Sequence, residues 1–154
     1  MASGAVGMIQ GEAFDTAFFS SVGLFRDVPS HNLLQLLKVI QPVRFAAGEI
    51  IITQGDETND FLIVRAGTVE VFVLRDTDEV SITKLGPTSY FGEMAVFDNY
   101  PRSASVRAIT NVTALSIGRD DFRNFLHANP AALFQMCTVF THRLRNTNSA
   151  LSKH

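Results

Sequence analysis

The chain has 154 residues, 46% of them hydrophobic and 18% charged, with a formal net charge of −2. That length supports one domain with its own core, and that composition excludes a disordered chain. The charge leaves no basic excess for holding nucleic acid through its phosphates, and the lone cysteine, Cys137, excludes an internal disulfide and points to a reducing, cytoplasmic setting.

The opening stretch Met1–Met8 has no positively charged region and no long apolar core, so it does not read as a signal peptide. No apolar run approaches the roughly 20 residues needed to span a membrane. Residues 12–22 place Phe14, Phe18 and Val22 at spacing four, which predicts one short helix ended by Gly23. A second helix is expected from Ser30 to about Val39, with Leu33, Leu34, Leu36 and Leu37 on it and Pro42 as its stop. Together these make an N-terminal helical segment over residues 1–40.

From Val43 to Gly118 the pattern changes to short apolar runs. They are Val43–Phe45, Glu49–Thr53, Asp60–Arg65, Thr68–Arg75, Val80–Leu85, Ser89–Phe91, Ser103–Ala108 and Val112–Gly118, separated by Gly, Pro, Asp and Asn. Short strands at this spacing predict an antiparallel sandwich or closed roll. Helices return with Arg119–Leu126, and Pro130 is suited to open a last helix running to about Ala150. On it Leu133, Cys137, Phe140, Leu144, Thr147 and Leu151 alternate at spacings of four and three, a coiled-coil-like seam in which Cys137 reads as a small core residue. Thirteen Phe and no Trp predict a core filled largely by Phe.

Inside the strand region one stretch concentrates chemistry: residues 91–106, FGEMAVFDNYPRSASV. Gly92 permits a sharp turn, and Glu93 to Phe97 suit one short helical turn whose first N–H groups attract an anion. Arg102 brings an always-charged planar fork. Glu93 suits a ligand that carries a hydroxyl beside its anion, because a carboxylate accepts from hydroxyls. The bland alternative is a structural Glu93–Arg102 ion pair on a loop.

The stretch closely resembles the phosphate-binding cassette of cyclic-nucleotide-binding domains, found in kinase regulatory subunits, nucleotide-gated channels and the bacterial catabolite activator. Gly92-Glu93 and Pro101-Arg102-Ser103-Ala104-Ser105 carry the likeness, and the AGEIIITQGD and FLIVRAGTVEVF runs extend it from about Leu24 to about Leu144. It implies a mainly β fold, an antiparallel, jelly-roll-like β-roll over 43–118 with N-terminal helices and a C-terminal helix pair over 119–151, in a single domain spanning 1–154. It implies that Glu93 takes the ribose 2′-hydroxyl and Arg102 the cyclic phosphate. Backbone groups of Gly92, Met94 and Ala95, and of Ser103 and Ala104, would complete the cradle. Ser103 is compatible with cAMP and cGMP, with cAMP ahead; Ser105 reads as a plain strand residue. The last helix resembles the dimer helix of the catabolite activator. That likeness implies a homodimer through this helix and a base contact from Thr147.

The expected function is a cyclic-nucleotide sensor, not an enzyme. It needs no cofactor and no metal, and it has neither a nucleic-acid partner nor a membrane-inserted segment. No helix-turn-helix, kinase, channel or exchange-factor segment is read in these residues. His31, His127, His142 and His154 lie outside the strand runs, unlike the metal-binding histidines of roll-shaped metalloenzymes. The rival readings are a nucleotide-independent interaction module on the same roll and a regulatory fragment of a larger channel, kinase or enzyme.

Overall fold

A computed structural model describes residues 6–9 and 12–152, with side chains described for residues 16–145. The expected helix over 12–22 is not what forms. Residues 12–15 are the second strand of a short hairpin, β1 (Val6–Ile9) with β2 (Glu12–Asp15), and helix α1 begins at Thr16 and ends at Ser20. The period-four spacing had joined three elements, because Phe14 belongs to the strand, Phe18 to the helix and Val22 to the turn beyond. After a 3₁₀ turn at Gly23–Phe25, helix α2 covers Ser30–Leu37 and buries Leu33 and Leu36.

Eight strands then form two four-stranded antiparallel sheets. One has the order β3 (Gln41–Phe45), β10 (Val112–Ile117), β5 (Phe61–Ala66), β8 (Tyr90–Phe91). The other has the order β4 (Ile50–Ile52), β9 (Ser105–Ala108), β6 (Val69–Arg75), β7 (Asp78–Leu85). Apart from the β6–β7 hairpin, strand neighbours are distant in sequence, as a jelly-roll-like β-roll requires. The expected run Ser103–Ala108 is shorter as a strand: Ser103 and Ala104 lie in a bend before β9. Helices α3 (Met94–Phe97), α4 (Arg119–Ala128) and α5 (Pro130–Ser152) complete the chain, with Pro130 as the first residue of α5.

Strand β5 shows why its run is continuously apolar. Alternate residues serve two cores. Phe61 and Ile63 pack with α1, α2, α4 and α5, whereas Leu62 and Val64 face the roll interior beside Val69, Phe91 and Val106. Strand β10 splits the same way, Leu115 and Ile117 against Val112 and Ala114. The first sheet is thus buried on both sides, between helices and the second sheet. Phe supplies much of this core, and Phe61 and Phe122 stack with ring centroids 4.1 Å apart. The turn between β5 and β6 needs Gly67: its φ is +93°, and a Cβ there would lie 2.3 Å from the Asn111 carbonyl.

The inward face of α5 is not the expected seam. Ala132 and Met136 are buried, with Leu133 and Phe140 packed beside them, while Cys137 is exposed and Leu144 is 62% exposed. A single helix lying on a globular core follows the 3.6-residue period, which carries Cys137 out to solvent.

Candidate functional site

The cassette is a strand–turn–helix–loop–strand unit: β8, Gly92, α3, residues 98–104 and β9. Gly92 has φ +84°, and a Cβ there would meet the Asp60 carbonyl and Arg102 Nη1, each at 2.8 Å. Only glycine fits, for both conformation and space. Glu93 stands at the N-cap position of α3 without a side-chain capping bond, and the N–H groups that open a helical turn have no intrahelical acceptor. Those groups belong to Met94, whose side chain is 52% exposed, and to buried Ala95. Ser103 is exposed and Ala104 half-buried, both in the bend after Arg102. Ser105 is a strand residue as expected, buried on β9, with its Oγ accepting from Gln54 N at 2.8 Å.

Arg102 is only 7% exposed. Its Nε donates to Thr58 Oγ1 at 3.1 Å, Nη1 to the Gly92 carbonyl at 3.3 Å and Nη2 to the Asp60 carbonyl at 2.8 Å. Three of five guanidinium N–H groups are therefore engaged, all by neutral oxygens. Burial pushes the guanidinium pKa below its ordinary value, while the charges of Asp60, Asp56 and Glu93 pull it back up. A cleft of about 140 Å³ opens beside it, lined by Val43, Phe45, Ile52, Thr58, Asp60 and Leu62 among others.

Glu93 and Arg102 do not pair with each other, so the simple ion-pair reading fails. Glu93, itself buried, has its Oε1 on Arg143 of α5 in a tight ion pair. Nearby Tyr90 feels both partners: burial raises its phenol pKa, the Glu93 carboxylate adds to that, and Arg143 opposes it. Two more contacts bind the cassette to the C-terminal helices. Arg123 of α4 donates to the Val96 carbonyl, and Phe97 meets Phe140 of α5 edge-on at 5.6 Å.

Arg143, Thr58 and the Asp60 carbonyl were absent from the expected site. Arg143 carried one faint signal, since it lies three residues beyond Phe140 and so shares its helix face. Thr58 carried none, because its loop has no periodicity. Thr147, the expected base contact, lies outside the residues whose side chains are described.

This combination defines a class: a β-roll carrying a glycine-dependent anion cassette, backed by a buried arginine and roofed by C-terminal helices. The sequence pattern described as "cyclic nucleotide-binding domain" matches residues 42–129, and the chain belongs to that family. A Mycobacterium tuberculosis protein named CRP-like cAMP-activated global transcriptional regulator is 34% identical over 131 residues, covering 84% of this chain and 58% of the regulator. The cAMP-dependent protein kinase regulatory subunit of Emericella nidulans is 36% identical over 110 residues, covering 71% of this chain and 26% of the subunit. The crystal structure of the Thermus thermophilus catabolite activator protein superposes with a TM-score of 0.79 at 27% identity, over 84% of this chain and 61% of that one. The β-roll expectation holds. The chain spans just over half, or about a quarter, of these curated relatives. A relative named as a transcriptional regulator runs against the expectation of no nucleic-acid partner, which rested on net charge and on no helix-turn-helix being read in these residues. Among the described residues no helix is long and apolar enough to cross a membrane, and no three His, Cys, Asp or Glu side chains group as metal ligands.

Proposed function

We propose that the chain senses a 3′,5′-cyclic nucleotide, with cAMP preferred over cGMP, and that it acts in the cytoplasm as a regulator without enzymatic activity. The observation that carries this reading is Arg102, a buried guanidinium whose bonded partners are a hydroxyl and two carbonyls and no carboxylate. A desolvated cation is stabilised by an anion that completes its shell. A cyclic phosphate has the single negative charge this fork needs, and the amides of Met94, Ala95, Ser103 and Ala104 lie on the same cassette. Glu93 Oε2 serves as acceptor for the 2′-hydroxyl, since Oε1 is held by Arg143. The names of the relatives favour cAMP.

Binding is read out through α5. Nucleotide-sized ligands need pockets of about 300 Å³ or more, and the cleft beside Arg102 is about 140 Å³. Admitting a whole nucleotide shifts the cassette and with it α5, whose Arg143 and Phe140 touch Glu93 and Phe97, and a ligand moves that equilibrium only by its differential affinity for the two arrangements. The hinge is Asn129, between α4 and α5, whose amide donates to the Phe125 carbonyl and accepts from Asn32 of α2. The outward face of α5, with Phe134 71% exposed, suits a second copy of the chain. A thermal-shift series with cAMP, cGMP and their 2′-deoxy forms tests the reading. The ribose forms should raise the melting temperature and the deoxy forms much less, because Glu93 loses its donor. No shift with any of them favours the nucleotide-independent module. Spin labels on α4 and α5 whose separation is unchanged by saturating ligand would refute the readout.

A further inference from the structure

We propose that Thr58 is a positioning residue for Arg102, one that sets which N–H groups of the guanidinium are presented to the anion. The inference rests on the nucleotide-sensor reading and adds a residue to it. The segment between β4 and β5 wraps Arg102. Gly55 N donates to the Arg102 carbonyl at 2.8 Å, and Arg102 N donates to the Asp56 carbonyl at 2.7 Å. The same segment is fastened at both sides through Gln54, whose N donates to Ser105 Oγ on β9 and whose Oε1 accepts from Leu74 N on β6, each at 2.8 Å. Thr58 therefore hangs on a braced loop, although its own side chain is exposed.

Of the three groups that accept from the guanidinium, two are backbone carbonyls that any sequence would supply. Thr58 Oγ1 is the one that depends on side-chain identity. By occupying Nε it closes the side-on edge of the fork, and the two unengaged N–H groups remain on Nη1 and Nη2. Without that hydroxyl, a mostly buried Nε–H loses its acceptor, and the side chain gains by turning to find another. The fork then points away from the cassette more of the time, and every ligand held through its anion binds more weakly.

The test compares Thr58→Val, which keeps shape and loses the hydroxyl, with Thr58→Ser, which restores it. By calorimetry with cAMP, Thr58→Val should weaken binding about 5- to 10-fold and Thr58→Ser less than about twofold. In an Arg102→Lys background, which has no Nε fork, Thr58→Val should change affinity no further. An affinity in Thr58→Val equal to wild type overturns the proposal, as does an equal loss persisting in the Arg102→Lys background. If the wild-type protein binds neither cAMP nor cGMP, the sensor reading itself fails. The Arg102 Nε–H resonance of the nucleotide-free protein then decides Thr58 alone. Slow exchange with water in wild type and Thr58→Ser, lost in Thr58→Val, supports the hold; equal exchange in all three overturns it.

Discussion

Replacing Arg143 by Ala removes the partner of a carboxylate that stays behind in the cassette. Glu93 is 6% exposed, whereas the Arg143 side chain is 54% exposed, so the pair is desolvated on one side only. Exposed pairs contribute about 0–1 kcal/mol. Stripping one partner from a fully buried pair costs about 3–5 kcal/mol, mostly because the remaining charge is uncompensated. The half-buried geometry falls between these limits, at about 2 kcal/mol. For a chain of this size that corresponds to a melting temperature lower by roughly 4–8 °C. Converting Glu93 to Gln in the same protein removes the stranded charge, so Arg143→Ala combined with Glu93→Gln should recover most of the loss. Calorimetric melting of the two single variants and the double variant reads the coupling directly. An unchanged melting temperature in Arg143→Ala would refute this reasoning. So would a double variant as unstable as the sum of the singles, because the pair would then not be coupled.

Other changes have equally specific expectations. Phe122→Ala deletes a fully buried ring stacked on Phe61 and should cost about 3–5 kcal/mol in urea unfolding, with Phe122→Leu costing clearly less. Gly92→Ala forces a side chain to φ +84° and into Asp60 and Arg102, so about 2–3 kcal/mol of stability and most of the cAMP affinity should be lost together. On the outer face of the second sheet, the hydrogen bond from Arg107 holds the Glu70 carboxyl below its ordinary pKa, with Ser81 and the charges of Arg107 and Lys84 adding to it. A depressed carboxyl stabilises the fold above its unfolded pKa of about 4.3, and that contribution fades as pH falls through the lowered folded value. Arg107→Ala should therefore move the Glu70 titration upward by carbon-detected NMR and flatten this part of the acid limb.

The strands were legible because turn residues bracket short apolar runs, and each of the eight expected runs holds a strand. The two buried faces of β5 and β10 were not, since a continuous apolar run does not say which residues face helices and which face the roll. The N-terminal hairpin was hidden because Phe14, Phe18 and Val22 sit at helical spacing by coincidence across three elements. Along α5 the seam pattern misplaced Cys137 and Leu144, whereas Ala132, Met136 and Phe140 mark the inward face. Within the cassette, Gly92, Glu93 and Arg102 were readable because one short motif holds all three. Their surroundings were not: Thr58 lies 44 residues from Arg102 and Arg143 lies 50 from Glu93, and only the fold brings them together.

The most direct test of the central claim is an isothermal titration of cAMP into the wild-type protein and Arg102→Ala. Saturable one-site binding to wild type, weakened by about 30- to 3,000-fold in the variant, is the predicted result; it corresponds to about 2–5 kcal/mol for truncating a buried charge partner. Binding of equal strength to both proteins would contradict the account, because the buried guanidinium would then have no part in holding the anion.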